Sequence, residues 1–415
     1  RLERATRDLF GLKAAGLPDT RPWLDHGVWG VRHPLGSHRR SEARAPAYGF
    51  LSAEGEGLHQ IPVGPVHAGI IEPGHFRFTA NGETVVRLEE RLGYVHKGIE
   101  SQMTGASIEQ GAKLAGRTSG DSTVAYALAF ALAVESALGV KVLARAVWLR
   151  ALMAELERIA NHLGDIGAIC NDASFSLMYA ECGILRERTL RTAYACFGHR
   201  LMMDQVVPGG VASDLDDDGI NNLRSLVEAV RHRLPELIEI YDNTASLQDR
   251  TVTTGYLRPE LARTFGAGGY VGRASGRAFD ARKALAYPPY DALNFEVRLR
   301  EDGDVNARVW LRILEVDQSL SLIEQIIERL PAGKTRSPLG KTGEVREGLA
   351  LVEGFRGDVL AWLRIDADGR IARCHLRDPS WFQWPLLEAV IKDNIVADFP
   401  LCNKSFNCSY SGHDL

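Results

Sequence analysis

The chain has 415 residues, 45% apolar and 25% charged, which is enough core-forming side chains for one large or two smaller globular domains and too many for disorder. Its formal net charge of −4, with 49 basic against 53 acidic side chains, lacks the concentrated basic face of nucleic-acid binders, so no nucleic acid is expected as a partner. The six cysteines, Cys170, Cys182, Cys196, Cys374, Cys402 and Cys408, form no CxxC pair and no small-domain spacing, which argues against a zinc knuckle or a disulfide framework and reads as reduced cytoplasmic thiols.

Residues 1–45 are rich in Pro, Gly, Arg, His and Trp, as in RPWLDHGVWGVRHPLGSHRR, and carry no sustained period, so an irregular tail draped over another surface is expected. The opening Arg1-Leu2-Glu3-Arg4, with no initiator Met and no apolar signal region, reads as the inside of a longer polypeptide. In 61–92, short apolar groups such as FRF and TVVRL alternate with turn residues. Asn81-Gly82 is a strong hairpin signal there, and a small β layer is predicted. The apolar run 124–134 stops at Glu135 and Ser136, short of the roughly 20 residues that span a bilayer.

In the central third, LRALMAELERIANHLGDIG places Leu152, Met153, Leu156, Ile159, Ala160, Leu163 and Ile166 at three- and four-residue spacings, predicting a long amphipathic helix. Similar spacing in 122–139, 184–206, 219–246 and 305–330 extends this to a helical bundle. Past Pro331, a Gly- and charge-rich linker leads to two strand-like runs, GLALVEGFRGDVLAWLRID and RIARCHLRD, separated by the turn Asp366-Ala367-Asp368-Gly369. A short helix at 384–395 and an irregular tail finish the chain. The fold class is therefore α+β, a large central helical bundle with small antiparallel β elements near both ends.

No phosphate loop, HExxH or GxSxG elbow occurs. The glycine-rich GAGGYVGRASG (266–276) has no clear strand before it and no clear helix after it, and is read as a packed backbone turn. DLDDDG (214–219) lacks the downstream Glu of a calcium loop and reads as an acidic helix start that complements the helix dipole.

GPVHAGIIEPGHFRF (64–78), NGE (81–83) and RLGYVHKGIE (91–100) are, in this order, similar to the opening signature of the large subunit shared by complex I and membrane-bound [NiFe] hydrogenases. The resemblance continues through Arg117, ALAVESALGV (131–140), RALMAELERIANHLGDIGAICND (150–172), VPGGV (207–211), RASG (273–276) and FRGD (355–358), and covers roughly residues 60–415. ERATRDLFGL (3–12), with GLPDTRPWL and HPLG, resembles the end of the smaller complex I subunit that is fused upstream in formate hydrogenlyase and hydrogenase-4 proteins. It implies a division into 1–45, a remnant of that subunit, and 46–415, the large-subunit domain, with the fused hydrogenase-4-like branch as the nearest match.

The family's nickel–iron centre needs four soft thiolates, supplied as two distant CxxC pairs. By the resemblance those positions are Ser119 and Ser122, within AGRTSGDS, and Ser409 and Gly412, within SFNCSYSGHDL, so no nickel–iron centre is expected. Cys402 and Cys408 read as small packing residues. The His and Tyr that hold a quinone head group in complex I correspond to Ile71 and Gly120. Glu72 and His75 match the region implicated in hydrogenase proton transfer, and Asp172, Arg117 and Arg356 match charged residues around the cavity.

Each of these has a plainer reading as well. Arg117 or Arg356 beside Asp172 would form a buried ion pair that fixes the bundle. His67 and His162 would be core histidines bonded to backbone, and His96 and Lys97 would be solvated or face a neighbouring subunit. Glu72 is the strongest functional candidate, because a carboxylate near a cavity is costly unless paired or used.

The resemblance implies the large subunit of a hydrogenase-4-like or complex I-like oxidoreductase on the inner face of the cell membrane. It would pass electrons from a small iron–sulfur subunit to a quinone-like acceptor, or couple them to proton movement, beside antiporter-like membrane subunits. NAD would act only elsewhere in such a complex. The alternatives are a redox-inactive scaffold or conformational coupler and, third, a genuine [NiFe] hydrogenase subunit.

Overall fold

The computed structural model describes residues 1–37, 48–67, 71–340 and 342–415, so the boundary expected at 45–46 lies outside the described residues. The first segment is more ordered than its composition suggested. Leu2–Phe10 is a helix (α1) that buries Arg4, Ala5 and Asp8, two of them charged, which hides its period from an apolar count. The Asp8 carboxylate accepts the N–H groups of Trp23 (2.6 Å), Leu24 (2.8 Å) and Asp25 (3.2 Å), pinning the following loop to the core.

The predicted β layer is a three-stranded antiparallel sheet of β1 (Leu58–Val63), β2 (His75–Asn81) and β3 (Thr84–Arg91). Alternation along β2 buries Phe76, Phe78 and Ala80 on one face. Gly82 adopts φ 57° at the hairpin, a region that glycine enters without steric cost.

Short helices α2 (Ile99–Met103) and α3 (Ile108–Gly116) lead into α4 (Thr123–Leu138), α5 (Ala144–Asp172) and α6 (Ser176–Phe197). Residues Gly120–Leu138 are the one stretch among the described residues long and apolar enough to cross a membrane, which corrects the reading that this run is too short. That stretch is 78% buried in the fold, so its apolarity is accounted for by packing against α3 and the C-terminal sheet. The helix expected at 184–206 lies earlier, as α6, because Gly198 at φ 74° ends it.

A two-residue hairpin (β4, Val206–Val207; β5, Gly210–Val211) precedes α7 (Asp217–Asn243), whose N-terminus is capped by Asp216 accepting the Gly219 N–H at 2.8 Å. Then follow α8 (Ala245–Thr251), α9 (Pro259–Thr264), α10 (Gly269–Arg273), α11 (Ala281–Ala284) and α12 (Val305–Arg329). The glycine-rich segment thus contains a short helix rather than only a turn. Its glycines serve close approach: a Cβ on Gly269 would lie 1.9 Å from the Arg356 carbonyl oxygen.

The long strand-like run is a hairpin, β6 (Arg346–Gly354) and β7 (Gly357–Ile365), with Phe355 and Arg356 at its tip, and β8 (Ile371–Arg377) completes an antiparallel sheet. The end of the chain is helical, α13 (Ser380–Val390), α14 (Phe399–Phe406) and α15 (Tyr410–Asp414), where an irregular tail was expected. All six cysteines are buried and free, including Cys402 and Cys408.

Helix α5 packs between α6 and α12 and is buried almost all round, so its polar residues are interior too. Glu315 on α12 receives Arg273 (2.7 Å) and His162 (2.8 Å), Arg273 also meets Glu353 (2.7 Å), and Arg282 bridges Glu155 (2.9 Å) to Asp280 (2.6 Å). His162 is therefore bonded to a carboxylate rather than to backbone, and burial holds its pKa below the ordinary histidine value.

One ion pair near the surface gives a pH test. Burial opposes charge on His375, but Glu100, 2.8 Å away, overrides it and raises the imidazole pKa. Stability from this pair is present below the unfolded histidine pKa of roughly 6.5 and lost as pH rises through the higher folded value. Thermal unfolding at successive pH values should show a small fall across that window, small because His375 is 49% exposed, and His375→Gln should remove it. An equal slope in both proteins would contradict the assignment.

Candidate functional site

The loop from α3 to α4 makes one tight turn over Gly120–Ser122, which sets Ser119, Asp121 and Ser122 side by side. Ser119 Oγ donates to Asp121 Oδ1 at 2.8 Å and shares a 3.0 Å hydrogen bond with Ser409 Oγ, which sits far away in sequence. Ser409 in turn caps α15, accepting the Gly412 N–H at 2.9 Å. From the β6–β7 tip, Arg356 forms a bidentate pair with Asp121, donating to Oδ1 at 2.8 Å and to Oδ2, and reaches Ser122 Oγ at 3.1 Å. Its Nε donates to the Asn407 carbonyl, so one guanidinium joins the turn before α4 to the segment before α15.

Arg356 is buried and its pKa is raised: desolvation opposes the charge, but Asp121 overcomes it. The reciprocal holds for Asp121, where burial raises the carboxyl and Arg356 pulls it below the usual range. Below the pair, Tyr126 O–H donates to Asp378 Oδ2 at 2.7 Å, and burial followed by the Asp378 charge pushes the phenol well above its ordinary pKa. Asp378 Oδ1 accepts the Ser380 N–H at 2.8 Å, so this carboxylate is pinned at both oxygens.

The structure brings Ser119, Ser122, Ser409, Gly412 and Arg356 into one cluster, and Gly120 lies at its edge with nothing within 4 Å of where its Cβ would stand. Other candidates fall elsewhere. Arg117 pairs with Asp204 on the surface (2.6 Å), not with Asp172, and Arg356 pairs with Asp121, so the expected ion pair to Asp172 does not form. Asp172 ends α5, where burial raises its pKa against the opposing charge of Lys404. Glu72 is exposed rather than buried and accepts the Ser411 N–H at 2.9 Å, which ties its loop to α15.

His75 bonds the Gly64 carbonyl at 3.0 Å and its ring lies 5.0 Å from that of Phe50 in a tilted contact, while Ile71 is 38% exposed. His96, half-buried, and Lys97, exposed, are each tied to backbone carbonyls. His96 Nδ1 meets the Asp414 carbonyl at 2.6 Å, and Lys97 Nζ donates to the carbonyls of Arg117 (2.9 Å) and Thr118 (2.6 Å).

The side chains at the four positions are hydroxyls and a glycine. Two of the hydroxyls are already bonded to each other, and a Cβ on Gly412 would lie 2.4 Å from Asp378 Oδ2. These residues do not fit a thiolate-held nickel–iron group. No group of three or more His, Cys, Asp or Glu suited to a metal occurs among the described residues.

Sequence reasoning missed Asp121, Tyr126 and Asp378. Asp121 carried a readable signal, a carboxylate between two replaced ligand positions. Tyr126 and Asp378 are 252 residues apart and give no local sign of meeting.

The model of the respiratory-chain NADH dehydrogenase, 49 Kd subunit, matches residues 172–343. Formate hydrogenlyase subunit 5 of Escherichia coli (strain K12) is 32% identical, over 99% of this chain and 74% of its own length. Carbon monoxide-induced hydrogenase of Rhodospirillum rubrum is 32% identical, over 84% and 97% respectively. Among solved structures, a chain of the membrane-bound sulfane sulfur reductase, an archaeal respiratory membrane complex, superposes with a TM-score of 0.82 at 25% identity, covering 87% of this chain and 99% of that one.

Proposed function

This chain belongs to the large-subunit family that includes the 49 Kd subunit of respiratory-chain NADH dehydrogenase and the formate hydrogenlyase and carbon monoxide-induced hydrogenase subunits, and on that premise we propose a redox role without nickel. In this reading it is the large subunit of an oxidoreductase complex at the inner face of the cell membrane. It takes electrons from a small iron–sulfur partner and delivers them to a quinone-like acceptor, beside antiporter-like membrane subunits.

The observation that carries the reading is the convergence of Ser119, Ser122 and Arg356 next to the open space at Gly120. Hydroxyls and a guanidinium, which donate to Asp121 in this structure, are the kind of donor that suits a carbonyl oxygen gaining negative charge on reduction, whereas they are poor ligands for a soft metal. Glu72, tied to the same C-terminal helix, is the residue proposed to bring protons to that oxygen.

The test is turnover of the purified complex with a soluble quinone, together with nickel and iron analysis of the same sample. Quinone-dependent turnover is expected, with nickel far below one per chain. Glu72→Gln should lower the rate by about a hundredfold, the low end of what a positioned acid–base group supplies. An unchanged rate in Glu72→Gln would remove Glu72 from the proposal, and stoichiometric nickel would replace the whole reading with a hydrogenase.

A second reading is supported by the closure of the cluster on itself: the Ser119–Ser409 bond and the Asp121–Arg356 pair link the two segments directly, as a scaffold that has lost its chemistry would require. A complex isolated without any iron–sulfur subunit, and inert toward quinones, would favour that scaffold.

A further inference from the structure

Glu157 is 6% exposed and plays no part in the reading above. It projects from α5 at the N-terminus of α4, where its two carboxylate oxygens accept the N–H groups of Val124 (2.7 Å) and Ala125 (3.1 Å). One turn along α5, Asn161 Nδ2 donates to the backbone carbonyls of both Asp121 and Glu157, each at 2.8 Å, which ties this carboxyl to the turn that carries Asp121. Beside them lies a cavity of about 10 Å³, room for a single water, lined by Asp121, Glu157, Asn161, Arg186, Thr189 and Arg200. Arg200, on its outer side, has its side chain 47% exposed and pairs with Glu187, so the cavity lies between the buried carboxyl and bulk solvent.

We propose that Glu157 is a proton-binding site, coupled by charge to the Asp121–Arg356 pair and exchanging its proton with solvent through the water-sized cavity between α5 and α6. The physical basis is a near balance between its two protonation states. Two backbone N–H groups at a helix N-terminus and Arg158 favour the carboxylate. Burial first, and then the negative charge of Asp121, oppose it more strongly and push the carboxyl up to about 8.

The charged groups facing Glu157 are Asp121 from the turn before α4, Arg158 from its own helix, Arg186 from α6 and Arg200 beyond it, with Arg356 acting through Asp121. A rise in negative charge on the Asp121 side favours uptake of one proton from solvent water, and its loss releases that proton, with no other bond made or broken. The source of that charge, an acceptor reduced in the cleft, rests on the function proposed above, while the coupling itself does not.

The experiment is an infrared pH titration of the purified complex, reading the C=O absorption of protonated buried carboxyl groups. Wild type should show a component that disappears with a midpoint near 8, absent in Glu157→Gln. Asp121→Asn should lower the midpoint, because it removes a negative charge. Arg356→Gln should raise it, because it leaves Asp121 unneutralised. These opposite shifts hold the test open even where Glu157→Gln fails to fold. A component that persists in Glu157→Gln, or a midpoint that neither charge variant moves, overturns the proposal. Opposite shifts in a complex inert toward quinones support the proton site and count against the redox reading alone, whereas quinone turnover with an unmoved midpoint overturns the site.

Discussion

Glu315→Ala is expected to destabilise the chain by about 3–5 kcal/mol, the range for breaking a buried ion pair by removing one partner. Glu315 is 2% exposed and lies among Arg273 at 2.7 Å, Arg158 at 3.8 Å and His162 at 2.8 Å. Burial alone would raise its pKa, yet Arg273 and then His162 hold it well below the usual carboxylate range, so it is ionised in the folded protein. Truncation leaves two guanidinium groups deep in the bundle with one fewer counter-charge, and the remaining carboxylates Glu353, Asp280 and Glu155 are already shared. Denaturant unfolding of the mutant against wild type measures the loss. A cost below about 1 kcal/mol would mean that the network relaxes or admits water, and that the interior is not the closed set of pairs described here.

Gly412→Ala is the second large effect. An added Cβ would stand 2.4 Å from Asp378 Oδ2, 2.7 Å from its Cγ and 2.8 Å from Ser409 Oγ, all closer than real contacts allow. Asp378 cannot swing aside freely, because Tyr126 and the Ser380 N–H hold its two oxygens, and Ser409 is engaged with Ser119 and with the cap of α15. Overpacking of this kind costs about 1–3 kcal/mol, read from the same unfolding assay. The consequence for chemistry is direct: restoring cysteine at positions 119, 122, 409 and 412 together should give a less stable chain that still takes up no stoichiometric nickel, since the last thiol has no room. A Gly412→Ala chain within about 0.5 kcal/mol of wild type would show that Asp378 yields, and a nickel-loaded four-cysteine variant would show that the site is only masked.

Much of the architecture was legible because it is written at short range. The alternation around Asn81-Gly82 and the three- and four-residue spacing through 150–172 are local patterns, and they mark the small sheet and the long helix α5. Legibility failed where polar residues face inward. Helix α1 buries Arg4 and Asp8, and α5 buries Glu155, Glu157, Arg158 and His162, so an apolar count assigns these residues to a wet face although they lie inside. It failed again where a turn is made by a candidate site residue: Arg356 sits at a hairpin tip inside what reads as one strand, held against Gly269 by close backbone packing.

The sequence by itself determined which chemistry the ordered motifs resemble and which side chains stand at the replaced positions Ser119, Ser122, Ser409 and Gly412, because residue identity and order need no coordinates. What only the tertiary structure decided is what these residues do to one another. Ser119 and Ser409 are 290 residues apart and share a hydrogen bond, Asp121 and Arg356 are 235 apart and form a bidentate pair, and Asp172, expected at that pair, is not part of it. The reason is physical: the partner of a buried charge is set by desolvation and distance in three dimensions, and neither has a period along the chain.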